Sequence, residues 1–155
     1  YYTQERAVLP ILKYIPENAV VWCPFDKQFS NYVRLLEDRG NKVIYSHIED
    51  GKDFFEYEPE YYDMIISNPP YSLRESILVR LYELGKPFAL LINEAGLFDS
   101  KIRYNLLKDN PFEMMIFNKR IGYFREGEDL KSVPFKSIYL CSKMLPEKLV
   151  FENIN

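Results

Sequence analysis

Asn68, Pro69, Pro70 and Tyr71 follow directly on the apolar run Met64-Ile65-Ile66-Ser67, and their types and order suit one kind of chemistry. An exocyclic NH2 on an aromatic ring is a weak nucleophile because its lone pair is delocalised. The Asn68 side-chain oxygen and the Pro69 carbonyl can each accept one of its N–H bonds. Together they draw the nitrogen toward tetrahedral geometry and aim its lone pair at a methyl donor. Pro70 holds that carbonyl still, and Tyr71 offers a ring face on which a flipped base can stack. No side chain with a tuned pKa is required for attack. The plainer alternative is a strand-ending Pro-Pro turn with an incidental Asn and aromatic.

Such a turn has to be held by the elements around it. Proline gives no N–H to a ladder and disfavours helix before it, so 64–67 is expected as a buried strand that stops at Asn68. In open α/β sheets, ligands bind at the carboxyl edge of such strands. Apolar runs at 20–22, 42–47, 88–92, 114–117 and 137–141 supply further strands. Helical periodicity predicts helices over 4–13, 31–39, 73–84 and 98–107. Thr3 and Ser72 are expected as N-caps, and Gly40 and Gly85 as stops. Strands alternating with helices predict an α/β fold with a mostly parallel twisted sheet covered on both faces. The last two strands, with no helix between them, are expected to make an antiparallel edge. The Gly- and charge-rich segment 120–133 is expected as a mobile loop.

On these residues the chain resembles the S-adenosylmethionine-dependent amino-methyltransferases, in particular the N6-adenine DNA methyltransferases and their small phage- or prophage-borne relatives. The resemblance covers most of the chain. Tyr2-Thr3-Gln4-Glu5-Arg6-Ala7 is similar to the family's aromatic-Thr-Pro segment, with Gln4 where Pro is usual. It implies that Thr3 and the helix it opens contact the methionine carboxylate of the cofactor, which a helix N-terminus favours. Asp53-Phe54-Phe55 is similar to the Asp-Phe pair that reads the cofactor adenine, the Asp accepting from the amino group and Phe54 stacking on the ring. The resemblance implies a Rossmann-like methyltransferase fold. It also implies methyl transfer to N6 of adenine in DNA.

Two departures stand out. After Val20-Val21-Trp22, the family's glycine-containing acidic loop is replaced by Cys23-Pro24-Phe25-Asp26-Lys27-Gln28-Phe29. Without glycine the backbone must approach a ligand by another path or hold it less tightly. Pro24, Phe25 and Asp26 remain the candidate cofactor contacts there, Asp26 as a replacement acid for the methionine ammonium. Where an acid for the ribose hydroxyls is expected, Ser46 and His47 stand, with Glu49 and Asp50 beyond. His47 is a candidate cofactor contact or simply a polar strand end.

Composition bounds these expectations. At 155 residues, with 47% hydrophobic and 16% aromatic content, the chain has material for one sizeable core, so 1–155 is expected to form a single catalytic domain without a separate target-recognition domain. The first residue is not Met, so upstream residues are expected to be missing. No window is long and apolar enough to span a bilayer and no signal segment opens the chain. Two cysteines far apart in sequence fit a reducing cytoplasm, and a lone histidine makes no zinc site. The net charge of −3 is unusual for a protein that grips a polyanion by itself. Acids concentrate over 49–63, whereas basic residues outnumber acids from Lys101 onward, so a DNA face is expected on the second half.

DNA, together with a recognition subunit or a second copy of the chain, is the expected partner. The rival substrates are RNA adenine and protein glutamine, since Asn-Pro-Pro-Tyr serves enzymes of both kinds. The rival class is a binding protein of methyltransferase fold whose cofactor site has decayed.

Overall fold

The computed structural model describes residues 2–121, 123–124 and 136–155; the expectation for 120–133 falls outside these from 125 onward. The elements in chain order are β1 (Tyr2–Thr3), α1 (Glu5–Leu12), β2 (Val20–Cys23), α2 (Asn31–Asp38), β3 (Lys42–Tyr45), β4 (Met64–Ser67), α3 (Arg74–Leu84), β5 (Phe88–Asn93), α4 (Lys101–Asp109), β6 (Glu113–Phe117), β7 (Tyr123–Phe124), β8 (Ser137–Ser142) and β9 (Leu149–Glu152). Short 3-10 turns occupy Ile48–Asp50 and Tyr71–Leu73. Seven strands form one sheet in the order β3-β2-β4-β5-β8-β6-β9, and β1 pairs separately with β7.

β2, β3, β4 and β5 run parallel, so their carboxyl ends share one edge, and Asn68 follows the interior strand β4 at that edge. β8 lies antiparallel to both β5 and β6, which supplies the expected antiparallel pairing at that side of the sheet. A parallel neighbour requires a long crossover, usually a helix, and an antiparallel one does not. β9 extends the sheet beyond it, parallel to β6. Nothing in its short run Leu149-Val150-Phe151 announces a strand. It is placed by the preceding turn, where Glu113 accepts from the amides of Lys143, Met144 and Leu145 and Lys143 takes φ 59°.

Alternation along the strands divides the core. Met64 and Ile66 of β4 face a cluster completed by Ala7, Val8 and Ile11 of α1 and Val33 and Leu36 of α2. Ile65 faces the other side with Trp22, Phe88, Leu90 and the α3 residues Ile77, Leu78 and Leu81. A period of two in each strand against a stripe on each helix gives the layered α/β architecture.

Helix starts differ from the sequence expectation at three places. Gln4, not Thr3, is the N-cap residue of α1, and it makes no side-chain cap bond. Thr3 sits in β1 with its hydroxyl engaged elsewhere. Ser72 lies inside the 3-10 turn that leads into α3, whose N-cap position is Leu73. α4 begins at Lys101 because Ser100 accepts from Arg103 N, three residues later than the apolar pattern suggests.

Tyr139 ties the two layers of one face together. Its hydroxyl donates to Ala7 O at 2.8 Å, so the Tyr32 hydroxyl 2.8 Å away donates to it. Both tyrosines are buried, Tyr139 completely. Tyr139→Phe removes the buried hydroxyl that bonds both groups and is expected to cost about 1–3 kcal/mol. A denaturant titration should show the midpoint falling at constant slope; an unchanged midpoint would mean that water replaces the missing group.

Candidate active site

β4 ends in a residue set with unusual freedom. Asn68 Nδ2 donates to Thr3 Oγ1 at 2.7 Å. Among the described residues nothing donates to Asn68 Oδ1 or to the Pro69 carbonyl. The next carbonyl is treated differently: Pro70 O accepts from Leu73 N at 3.0 Å, which closes the 3-10 turn. Two acceptors therefore stand open side by side in sequence, on a turn pinned by two prolines and a helix start. Pro69 is buried and Pro70 exposed.

Tyr71 is 60% exposed, a high value for a large aromatic. Its hydroxyl accepts from Asn93 Nδ2 at 3.4 Å, and the Arg74 guanidinium lies 5.7 Å from its ring centroid. Asn93 ends β5 as Asn68 follows β4. It is buried, and its Oδ1 accepts from Ala95 N. Arg74 donates to the carbonyls of Asn93 and Ala95, so the ends of β4 and β5 are joined through the turn and the start of α3. An asparagine closing the apolar run 88–92 was the available sequence signal for Asn93.

A short chain of contacts leads from this turn to the loop after β2. Thr3 is buried, its backbone pairs with Tyr123, and its carbonyl accepts from Asn31 Nδ2 at 2.8 Å. Asn31 opens α2 next to the N-cap Ser30, which accepts from Val33 N. The Ser30 hydroxyl in turn favours the ionised form of the nearby Asp26 carboxyl. Thr3 and Asn68 are thus tied to Asn31 and the start of α2, which the sequence pattern marked only as a helix start.

Asp26 is the electrostatic anomaly of the site. Burial pushes its carboxyl up to about 7 against the opposing influence of Ser30, and its Oδ2 is buried with no partner among the described residues. The nearby Cys23 thiol is pushed up by its own burial, with the Asp26 charge adding to it. Gln4 presents the complementary case. Arg6 Nε donates to its Oε1 at 2.6 Å, which turns the amide so that Nε2 is left buried without an acceptor at the uncapped start of α1. An orphan acceptor on Asp26 and an orphan donor at a helix N-terminus fit an ammonium and a carboxylate, the two charges of an amino-acid moiety. The methionine end of S-adenosylmethionine has both.

The glycine-free loop finds its path by continuing beside β3. Ser46 N donates to Cys23 O and Asp26 N to Ser46 O, both at 3.1 Å, so the chain past Pro24 needs no left-handed turn. Pro24 is buried, and Phe25 packs 5.2 Å from Phe54. Where the ribose hydroxyls are expected to be read, Ser46 Oγ accepts from Trp22 Nε1 at 3.0 Å. His47 Nδ1 accepts from Glu49 N and caps the 48–50 turn, which gives the ring a structural task. Glu49 pairs with Lys27 at 2.7 Å, an exposed bridge between the two loops that holds the Glu49 carboxyl below its usual range.

Asp53 and Phe54 are adjacent to this group but differently disposed. Asp53 Oδ1 accepts from Phe55 N, while Oδ2 has no partner among the described residues. Phe54 is 3% exposed and packs 5.5 Å from Trp22 and 5.2 Å from Phe25, an aromatic cluster that holds the ring against the core.

Neither a protein-family model nor a curated protein matches the sequence. The fold does match solved structures. A structure described as the modification subunit of a type I restriction enzyme from Vibrio vulnificus YJ016 superposes with TM-score 0.56 at 11% identity, over 99% of this chain and 46% of that one. This chain has the Rossmann-like methyltransferase fold. TrmN from Thermus thermophilus gives TM-score 0.47 at 17% identity, over 90% of this chain and 48% of that one. The chain therefore spans less than half the length of either structure. In the methyltransferase fold found here, the open Asn68 and Pro69 acceptors and the Asp26 and Gln4 orphans all belong to the carboxyl edge of the parallel strands or to segments bonded to it. No helix among the described residues is long and apolar enough to cross a membrane, and no cluster of potential metal ligands occurs among them. Cys23 and Cys141 are buried free thiols.

Proposed function

We propose that this chain is the catalytic core of an S-adenosylmethionine-dependent methyltransferase whose acceptor is the exocyclic N6 amine of adenine in DNA. The observation that carries the proposal is the pair of open acceptors, Asn68 Oδ1 and the Pro69 carbonyl, with the Asn68 amide turned away from them onto Thr3. Two acceptors and no donor match the two N–H bonds of a primary amine and nothing else the base offers at that atom.

When bound, S-adenosylmethionine supplies an electrophilic methyl on a sulfonium sulfur. Asp26 holds the ammonium of its methionine end, and Gln4 Nε2 with the start of α1 holds the carboxylate. Asn68 and Pro69 strip conjugation from the target nitrogen by holding its two N–H bonds, and the methylated, cationic nitrogen then gives up one proton to water. Tyr71, exposed and anchored through its hydroxyl, stacks on the flipped base. Positioning and dipoles provide the rate, so no general base is assigned.

The choice of DNA rests on the likeness of the motifs to the N6-adenine enzymes and fits the described modification subunit as a structural neighbour. A net charge of −3 argues that DNA is gripped with the help of a recognition subunit, another segment or a second copy. Labelled-methyl transfer to DNA, RNA and protein fractions decides the substrate, with N6-methyladenine in DNA the expected product. Label only in RNA, or only on glutamine, overturns the DNA assignment and spares the turn.

Ligand binding is tested separately. S-adenosylhomocysteine at a hundredfold excess over Kd should add about 2.7 kcal/mol to stability, a rise in Tm of roughly 5–10 °C for a chain of this size. No rise at millimolar ligand, with calorimetry also silent, identifies a methyltransferase fold whose cofactor site has decayed.

A further inference from the structure

The Thr3 hydroxyl touches the active-site turn and not the helix that Thr3 precedes. Its Oγ1 accepts from Asn68 Nδ2 at 2.7 Å, and no other hydrogen bond of this hydroxyl exists among the described residues. The backbone of Thr3 is fixed on two sides, by pairing with Tyr123 and by the bond from Asn31 to its carbonyl. The residue is 7% exposed, so the hydroxyl cannot be replaced readily by water. A buried, doubly anchored hydroxyl on the amide of the proposed amine-binding Asn is more than local packing requires.

The chemistry of the two groups makes the arrangement conditional. A terminal amide torsion has two nearly equivalent settings, differing by exchange of oxygen and NH2. In the observed setting Asn68 presents Oδ1 to the target amine. In the flipped setting it presents NH2, donor against donor, and the amine is repelled. A hydroxyl can serve either setting, accepting from NH2 or donating to the oxygen. It selects the observed one only when its own proton is committed to another acceptor. Thr3 immediately precedes Gln4, whose orphan Nε2 marks the proposed carboxylate position at the start of α1.

We infer that Thr3 is a positioning residue that couples cofactor binding to the orientation of Asn68. With its proton given to the cofactor carboxylate, the Thr3 oxygen remains only an acceptor, and Asn68 Oδ1 is held toward the amine. The inference rests on the methyltransferase reading above and deepens it, for it makes the amine site competent only once the cofactor is in place.

The test uses Thr3→Val, which keeps the shape and removes the hydroxyl, and Thr3→Ser, which restores it. At saturating cofactor and DNA, Thr3→Val should lower kcat about 10–100-fold, the scale of a small misplacement of a reacting group, and Thr3→Ser should recover most of it. A second readout does not depend on turnover. The Asn68 side-chain NH2 resonance, assigned by its loss in Asn68→Ala, should gain protection from exchange on addition of S-adenosylhomocysteine in the parent but not in Thr3→Val. If Thr3→Val fails to fold, Asn31→Ala, which releases only the Thr3 carbonyl anchor among these contacts, should show a smaller loss in kcat and a weaker gain in protection. Full turnover by Thr3→Val, or an Asn68 amide indifferent to the ligand, overturns the assignment. A parent protein that gains the protection yet methylates no DNA, RNA or protein upholds the coupling and overturns the methyltransferase reading instead.

Discussion

Asn68→Ala should bind S-adenosylhomocysteine as tightly as the parent and turn over about 10²–10³ times more slowly, the loss typical of removing one preorganised polar contact to developing charge. The reason lies in what Asn68 touches. Among the described residues its side chain makes one bond, the amide donation to Thr3, and its open oxygen faces no donor there. Truncation therefore removes an acceptor whose value rises as the amine becomes tetrahedral. It leaves Asp26 and Gln4 as they were. Asn68→Asp keeps an oxygen but adds a charge that the half-buried turn does not compensate, and it should not restore the rate. Single-turnover measurement with saturating cofactor separates the chemical step from binding. A fully active Asn68→Ala would falsify the proposed amine cradle, whatever the substrate.

The second large effect is a pH dependence of cofactor affinity set by Asp26. Its carboxyl is raised to about 7 by burial. An incoming ammonium pairs with the ionised form, so below pH 7 binding must expel a proton. Affinity should fall about tenfold per pH unit below that point and level off above it. Asp26→Asn should weaken binding strongly at pH 8 and flatten the profile.

The stability of the ligand-free protein moves the opposite way, and the sign follows from linkage. The folded carboxyl holds its proton up to about 7, whereas the unfolded one releases it near 3.8. This contribution is present in full below the unfolded value and is lost as pH rises toward 7. Asp26→Asn should accordingly raise the Tm of the free protein at pH 8 and leave it nearly unchanged at pH 4. Calorimetry in buffers of different ionisation enthalpy counts the released proton directly. Affinity independent of pH from 5.5 to 8 would move the ammonium to another acceptor.

The sequence by itself determined the architecture and the Asn68–Tyr71 turn that ends β4. Apolar runs of strand length separated by helical stripes require a parallel sheet with two covered faces, and the Pro-Pro pair requires β4 to stop where it does. These are local constraints, carried by residues close together in the chain. The same locality explains why Asn68 and Tyr71 were visible as a unit.

Tertiary structure decided the rest, because it turns on which partner each polar group finds. Thr3 reads as an N-cap from its neighbours, yet a residue 65 positions away takes its hydroxyl. Phe54 reads as an open ring until the aromatic cluster with Trp22 buries it. Ser46 and His47 are spent on Trp22 and on a turn amide. The loop after β2 dispenses with glycine because Ser46 guides its backbone. β9 is fixed by the Glu113 carboxylate across a turn. A hydrogen bond between distant segments leaves no periodicity in the sequence, so competition for these donors and acceptors is settled only when the chain is folded.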